Sequence, residues 1–271
     1  MLEFEILARG LYWPDQLDIT YDPTLSMPIT PAIQQWMDTL WQQKLALARQ
    51  KGTPLFDAPL FRLITAESQP NGILHLVLGN TSYKEYVTTR VPEFSQGRTR
   101  HELGNALSVC SVVETSDGYI LLDKRQGVDV YNGRYHVIGG FFERERDMTT
   151  HPDPFQAMRR EIREETGIQS TDIQAQSCLG VVYDVATPHG EICFLTRLNI
   201  PLAEVQKRTP EEDEIKQLLF LTATPECLRD FVLKNHGNIS ATGEPNLLMY
   251  GGMRFGEKWL REMLEQLDLS L

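Results

Sequence analysis

Gly139-Gly140-Phe141-Phe142-Glu143 and, further along, Arg160-Glu161-Ile162-Arg163-Glu164-Glu165-Thr166-Gly167-Ile168 are the stretches around which this chain is organised. The second reads as the last turns of a helix: Asp153 suits the N-cap, Pro154 the first helical position and Gly167 the C-terminal stop. Glu161 then lies one turn before both Glu164 and Glu165, so three carboxylates share one side. Near a helix C-terminus the macrodipole disfavours acids, so something cationic is expected beside them. A hard divalent ion with oxygen ligands would serve, and so would Arg160 and Arg163 on a solvated face.

The residue order decides between these. Gly-Gly-x-x-Glu followed by a helix carrying Arg-Glu-Ile-x-Glu-Glu-x-Gly-Ile resembles the Nudix box, and its helical half matches from Arg160 to Ile168. The front half departs from the family's pattern. Gly140 stands twenty residues before Arg160 where the family has fourteen, so about six extra residues, near Arg146 to Pro152, lengthen the intervening loop. The box's first glutamate could be Glu143, Glu145 or neither.

The resemblance implies an α/β/α sandwich with a mixed sheet for residues 105–271, preceded by an α+β amino-terminal portion, 1–104. It implies hydrolysis of a nucleoside diphosphate linked to another group. Glu161, Glu164 and Glu165 would be ligands of Mg2+ (or Mn2+), the Gly139 carbonyl a further one, and Arg160 would steady a box carboxylate. A family glutamate beyond the box often adds a ligand or the base, which directs attention to Glu211, Glu212, Asp213 and Glu214; a solvated charge run is the plainer reading of any one of them.

More of the chain is similar to the animal Nudix hydrolases that split UDP-glucose and UDP-galactose into UMP and a sugar 1-phosphate. Phe56-Asp57-Ala58-Pro59-x-Phe61-Arg62-Leu63, the Leu78 to Lys84 segment and the long loop carry that likeness. It implies that Tyr83 and Lys84, with Arg125, lie near the substrate. ADP-ribose or dinucleotide hydrolysis is one alternative. A non-catalytic nucleotide sensor is another.

Composition frames this. The net charge of −11 over 271 residues argues against a nucleic-acid backbone or an anionic membrane as main partner. A small nucleotide is the expected partner. Residues 1–105 carry 11 acids and 9 basic residues, residues 106–271 carry 26 and 17, so the acidity belongs mainly to the second part. Cys110, Cys178, Cys193 and Cys227 are scattered as free buried thiols would be, no apolar run is long enough to span a membrane, and the first residues lack a leader pattern, so a cytoplasmic setting is expected.

Elsewhere the periodicities predict a strand at Leu2–Leu7, a loop punctuated by Pro14, Pro23, Pro28 and Pro31, and an amphipathic helix from Pro31 to Lys51. Strands are expected at Leu60–Ala66 and Ile73–Leu78, then a turn into a helix capped by Thr81 or Ser82. The second portion should begin with strands Ala106–Glu114, Tyr119–Asp123 and Tyr135–Ile138, the last delivering a glycine turn. A hairpin, Ala175–Val185 with Glu191–Ile200, places His189 in its loop, where a substrate contact is open to it and a solvated loop histidine is the plainer reading. After the apolar run Leu218–Leu221 come a helix at Cys227–Leu233, a loop at Gly237–Gly243, a short apolar segment at Leu247–Tyr250 and a last helix, Gly256–Leu267.

Overall fold

The computed structural model describes residues 3–127, 130–211, 215 and 217–267. The first part runs β1 (Phe4–Tyr12), β2 (Leu17–Tyr21), α1 (Pro31–Lys51), β3 (Pro59–Ser68), β4 (Leu74–Ser82), α2 (Tyr83–Thr89) and α3 (Pro92–Ser95). Next come β5 (Leu107–Glu114), β6 (Tyr119–Lys124), β7 (Tyr135–His136), β8 (Ile138–Phe141), α4 (Arg144–Asp147) and α5 (Pro154–Thr166). The chain continues through β9 (Ile173–Asp184), β10 (His189–Leu198), α6 (Leu202–Val205), β11 (Leu218–Thr222), α7 (Pro225–Asn235), α8 (Gly243–Phe255) and α9 (Glu257–Gln266).

The main sheet has the order β1-β9-β10-β5-β6-β11. β10 and β5 run parallel while their neighbours are antiparallel, so the sheet is mixed. β5 meets β8 along its first half, from Ser108 to Ser111, and β6 at its end. One face packs on α5 and on the small sheet β2-β4-β3, through Phe61, Leu63, Leu76, Val109, Met158, Ile162 and Phe194. The other packs on α7, α8 and α9, through Cys110, Val112, Leu179, Leu248, Tyr250 and Trp259. The result is the expected α/β sandwich. Residues 4–12 belong to the main sheet too, because β1 pairs with β9 from Phe4↔Asp184 onwards.

Several expectations are corrected. Leu17–Tyr21 lies inside the proline-marked loop yet forms β2, pairing parallel with β4; it is five residues long, too few to show a period. Gly139 and Gly140 are strand residues opposite Cys110 and Val109, not a turn. Leu247–Tyr250 is the middle of α8, in which every residue from Gly243 to Gly252 is buried. A helix covered on all sides has no polar stripe to reveal it. Cys227 is exposed, whereas the other three cysteines are buried thiols. Among the described residues no helix is long and apolar enough to cross a membrane.

Candidate active site

The site is built on α5. Asp153 accepts from the Gln156 N–H at 2.9 Å, Pro154 begins the helix, and Gly167 closes it with φ 74°. Phe155, Ala157, Met158 and Ile162 face the sheet. That packing lays Arg160, Glu161, Glu164 and Glu165, all buried, against β8 and the loop that follows it. Burying four ionic side chains is tolerable only if they satisfy one another.

Arg160 does most of this. Its Nε and Nη2 form a fork on the Asp147 carboxylate at 2.9 and 2.8 Å, Nη2 also donates to the Phe141 carbonyl at 2.9 Å, and Nη1 reaches Glu161 at 2.6 Å and Glu164 at 3.1 Å. A planar guanidinium suits such a fork in a way a lysine cannot. Asp147 is fully buried and accepts as well from the Glu143 N–H at 2.9 Å, so it ties the inserted loop to the helix. Besides Glu161 and Glu164, the carboxylate on which Arg160 forks is Asp147, thirteen residues upstream, rather than Glu143 or Glu145. In a run of alternating acids and arginines the spacing could not single it out.

β8 supplies the other wall. A side chain at Gly140 would put its Cβ 2.5 Å from the Glu161 carboxylate, and one at Gly139 would strike the Val109 carbonyl. Both glycines are thus required by close approach. The Gly139 N–H donates to Glu165 at 3.1 Å, which brings the predicted backbone and helix residues together. Glu164 is also paired with Arg146, a half-exposed residue of the extended loop, and lies 3.5 Å from Arg163. Burial raises the pKa of Glu143, with Arg160 and Arg146 opposing that.

These acids offer the hard oxygens that magnesium or manganese prefers. As they stand, Arg160 and Arg146 occupy them, and among the described residues no group of three or more His, Cys, Asp or Glu side chains is gathered to hold a metal. The donor chemistry fits nonetheless: Glu161, Glu164 and Glu165 share a helix face, and the bare backbone of Gly139 and Gly140 leaves their strand side uncrowded.

The remaining candidates divide. Tyr83 lies edge-on to Phe141 at 5.5 Å, and Tyr86 does so at 5.6 Å, so α2 delivers an aromatic wall to the end of β8. Ser82 is its cap, accepting from the Glu85 N–H at 3.2 Å. Lys84 turns away to Asp38 of α1 at 2.5 Å. Arg125 donates through Nε to the Val130 carbonyl at 3.2 Å and bears electrostatically on Asp123, whose pKa burial pushes up to about 6. Glu211 is half exposed, pairs with Arg163 at 3.0 Å, and donates its N–H to the Glu164 carbonyl. Glu212, Asp213 and Glu214 lie outside the described residues.

Behind the aromatic wall is a cluster that the sequence did not announce. His189 is buried at the first position of β10, with Nε2 3.7 Å from Glu191 and Nδ1 donating to the Thr187 carbonyl at 2.5 Å. His136 approaches the other Glu191 oxygen at 3.7 Å. Burial works against a charge on His189, but Tyr86, Glu191 and Asp184 prevail and raise its pKa to about 10. Burial would raise the Glu191 pKa too; the two histidines prevail and lower it to about 2, while burial lowers that of His136 to about 4. A histidine in a Pro-His-Gly stretch reads as a loop tip, and only the pairing of Gly190 with Leu107 draws it inward.

The NUDIX domain family model matches residues 104–230. No curated protein matches the chain. Among solved structures, it is similar to a NUDIX hydrolase from Nitrosomonas europaea at 15% identity, over 55% of this chain and 90% of that one, with a TM-score of 0.39. A mutT/nudix family protein from Listeria innocua is 17% identical over 57% of this chain and 96% of its own, TM-score 0.39. The bifunctional NMN adenylyltransferase/ADP ribose pyrophosphatase of Francisella tularensis is 16% identical over 56% of this chain and 42% of its own, TM-score 0.39. Likenesses so distant say nothing of substrate. Residues 104–230, which include β8 and α5, thus match the NUDIX domain family over just under half of the chain.

Proposed function

We propose that this protein hydrolyses a nucleoside diphosphate sugar, UDP-glucose or UDP-galactose, to UMP and a sugar 1-phosphate, using magnesium. Glu161, Glu164 and Glu165, with the Gly139 carbonyl, would hold the ion, residues 105–271 carry the chemistry, and residues 1–104 shape the substrate cleft. A bound divalent ion neutralises phosphate charge and lowers the pKa of water. The observation that carries the reading is the Arg160 fork on Asp147, which fixes the acid-bearing helix against the Gly139–Gly140 strand.

The chain's own groups have distinct parts. Arg160 pairs with Glu161 and Glu164 and holds both carboxylates in place. One of the α5 acids, or an acid of the Glu211 to Glu214 run, takes the proton of the attacking water. Tyr83 and Phe141 offer a stacking face for the uracil. Lys84, held by Asp38, acts on the wall's position rather than on phosphate.

The test is direct. UDP-glucose, UDP-galactose and ADP-ribose are compared in magnesium with products identified. Release of UMP with a sugar 1-phosphate is expected. Preferential AMP release would assign the adenine class instead, and no turnover of any conjugate would leave a nucleotide sensor.

A further inference from the structure

α1 is long, capped at both ends and barely buried. Thr30 accepts from the Ile33 N–H at 3.3 Å, Pro31 starts the helix, and Gly52 ends it with φ 67°. Of its 21 residues only Met37 and Trp41 are buried, and the element it meets most is α2. Core packing therefore accounts for little of it.

α2 is the reverse. It has seven residues, and a helix shorter than about 12 to 15 residues does not hold by itself in water, so its place is set by whatever grips it. Ser82 and Asp57 take up N–H groups of its first turn, Asp57 accepting from Lys84 at 2.8 Å. The other grips come from α1. In a longer helix the Thr88 carbonyl would accept from the N–H of residue 92, but residue 92 is proline, and the Trp36 indole N–H donates to that carbonyl instead, at 2.9 Å. Asp38 holds Lys84, and one turn later Trp41 packs edge-on against Tyr83, with ring centroids 6.3 Å apart and planes at 73°. Asp38, Trp41 and Leu45 recur at helical spacing, so one face of α1 is turned to this task.

Tyr83 in turn meets Phe141 edge-on at 5.5 Å. Phe141 is fixed from behind, by its strand pairing with Ser108 and by the Arg160 guanidinium on its carbonyl. One ring of the pair is thus anchored to the strand beside the acids, and the other is braced by α1.

We propose that α1 is a positioning element for the nucleotide: Asp38 and Trp41, with Trp36, hold Tyr83 in line with Phe141 as one stacking face and so set the affinity for the base, without touching substrate. This rests on the reading of Tyr83 and Phe141 as the seat of the base. A base held away from the reacting phosphates contributes alike to ground and transition states, so a displaced seat raises KM and leaves kcat alone. Arg160 keeps its fork on Asp147 wherever Tyr83 lies, which protects the chemical step.

The test uses the full chain in magnesium. KM and kcat are measured for UDP-glucose and ADP-ribose, and Kd for UDP and ADP by calorimetry. Trp41→Ala should raise KM and Kd about tenfold with kcat within about twofold, and Trp41→Phe should return most of the loss. Asp38→Lys, which sets a like charge against Lys84, should raise KM about threefold, and the exchange Asp38→Lys with Lys84→Asp should restore it. Asp38 is 53% exposed at its side chain, so the charge variants keep their fold even if Trp41→Ala does not, and circular dichroism checks each. An unchanged KM in both Trp41→Ala and Asp38→Lys, a loss confined to kcat, or an exchange that fails to rescue would overturn the proposal; the last would place Lys84 on the substrate itself. A wild-type chain that binds UDP or ADP but hydrolyses neither conjugate would refute the proposed reaction and leave the effect of α1 to be read from Kd. One that binds neither nucleotide would remove the seat and this inference with it.

Discussion

The two faces of the strand set β8-β5-β10 each bury an ionic cluster, and they solve the same problem in opposite ways. On the α5 face, Arg160 holds Asp147, Glu161 and Glu164 together, and the half-exposed Arg146 adds a movable counter-charge. On the α8 face, the buried His189 and Glu191 neutralise each other behind Tyr86, with His136 beside Glu191. The first arrangement can surrender carboxylates to an incoming cation; the second is closed. A buried charge network thus becomes a working site only where one member can leave without stranding the rest.

The largest effect should come from Arg160→Ala. It strands the fully buried Asp147 without its fork, and denaturant titration should show a loss of about 3–5 kcal/mol. Asp147→Asn combined with Arg160→Met should recover part of that, since no charge is then left unpaired. Equal stability of Arg160→Ala and wild type would show that the α5 cluster is not held as described.

Next is Glu164→Gln, expected to leave the fold intact and to cut hydrolysis about a hundredfold or more in magnesium. Wild-type turnover by this variant and by Glu165→Gln would remove both from the chemistry.

The closed cluster is probed by pH. A His189 pKa raised to about 10 adds stability that is full below about 6.5 and is lost as pH climbs through 10. Glu191, lowered to about 2, adds stability present above about 4.5 and lost as pH falls through 2. His136, lowered to about 4, makes acid costly between about 6.5 and 4, because the unfolded chain binds that proton first. Thermal melts should therefore decline on both sides of neutrality. Glu191→Gln should flatten both limbs and cost about 1.5–3 kcal/mol at neutral pH.

The smallest effect is expected for Arg146→Ala. Removing this exposed counter-ion from Glu164 should lower the Mn2+ concentration needed for half-saturation, read by electron paramagnetic resonance, about two- to threefold. An unchanged titration would mean that Arg146 does not compete for the acid.

How much of this was legible depended on whether a residue's partners were local. The α5 cap, the α1 span and the carboxylate row follow from spacing along one helix, and the structure returns them at Asp153, Pro31–Lys51 and Glu161–Glu165. Asp147 was hidden because its partner is thirteen residues away across an insertion, and His189 because its burial depends on β5 and α2. α8 was hidden because its first ten residues, Gly, Glu, Pro and Asn with Leu among them, are all buried and carry no period.

The pairing of β1 with β9 has an effect on how the chain acquires its shape. β1 is joined, at Phe4↔Asp184, to a strand made long after it. Until then its hydrogen-bonding edge has no mate, and closing so large a loop is slow. Assembly of the central sheet is for that reason a late event in synthesis, and β1 is the segment most in need of protection from sticking to other chains.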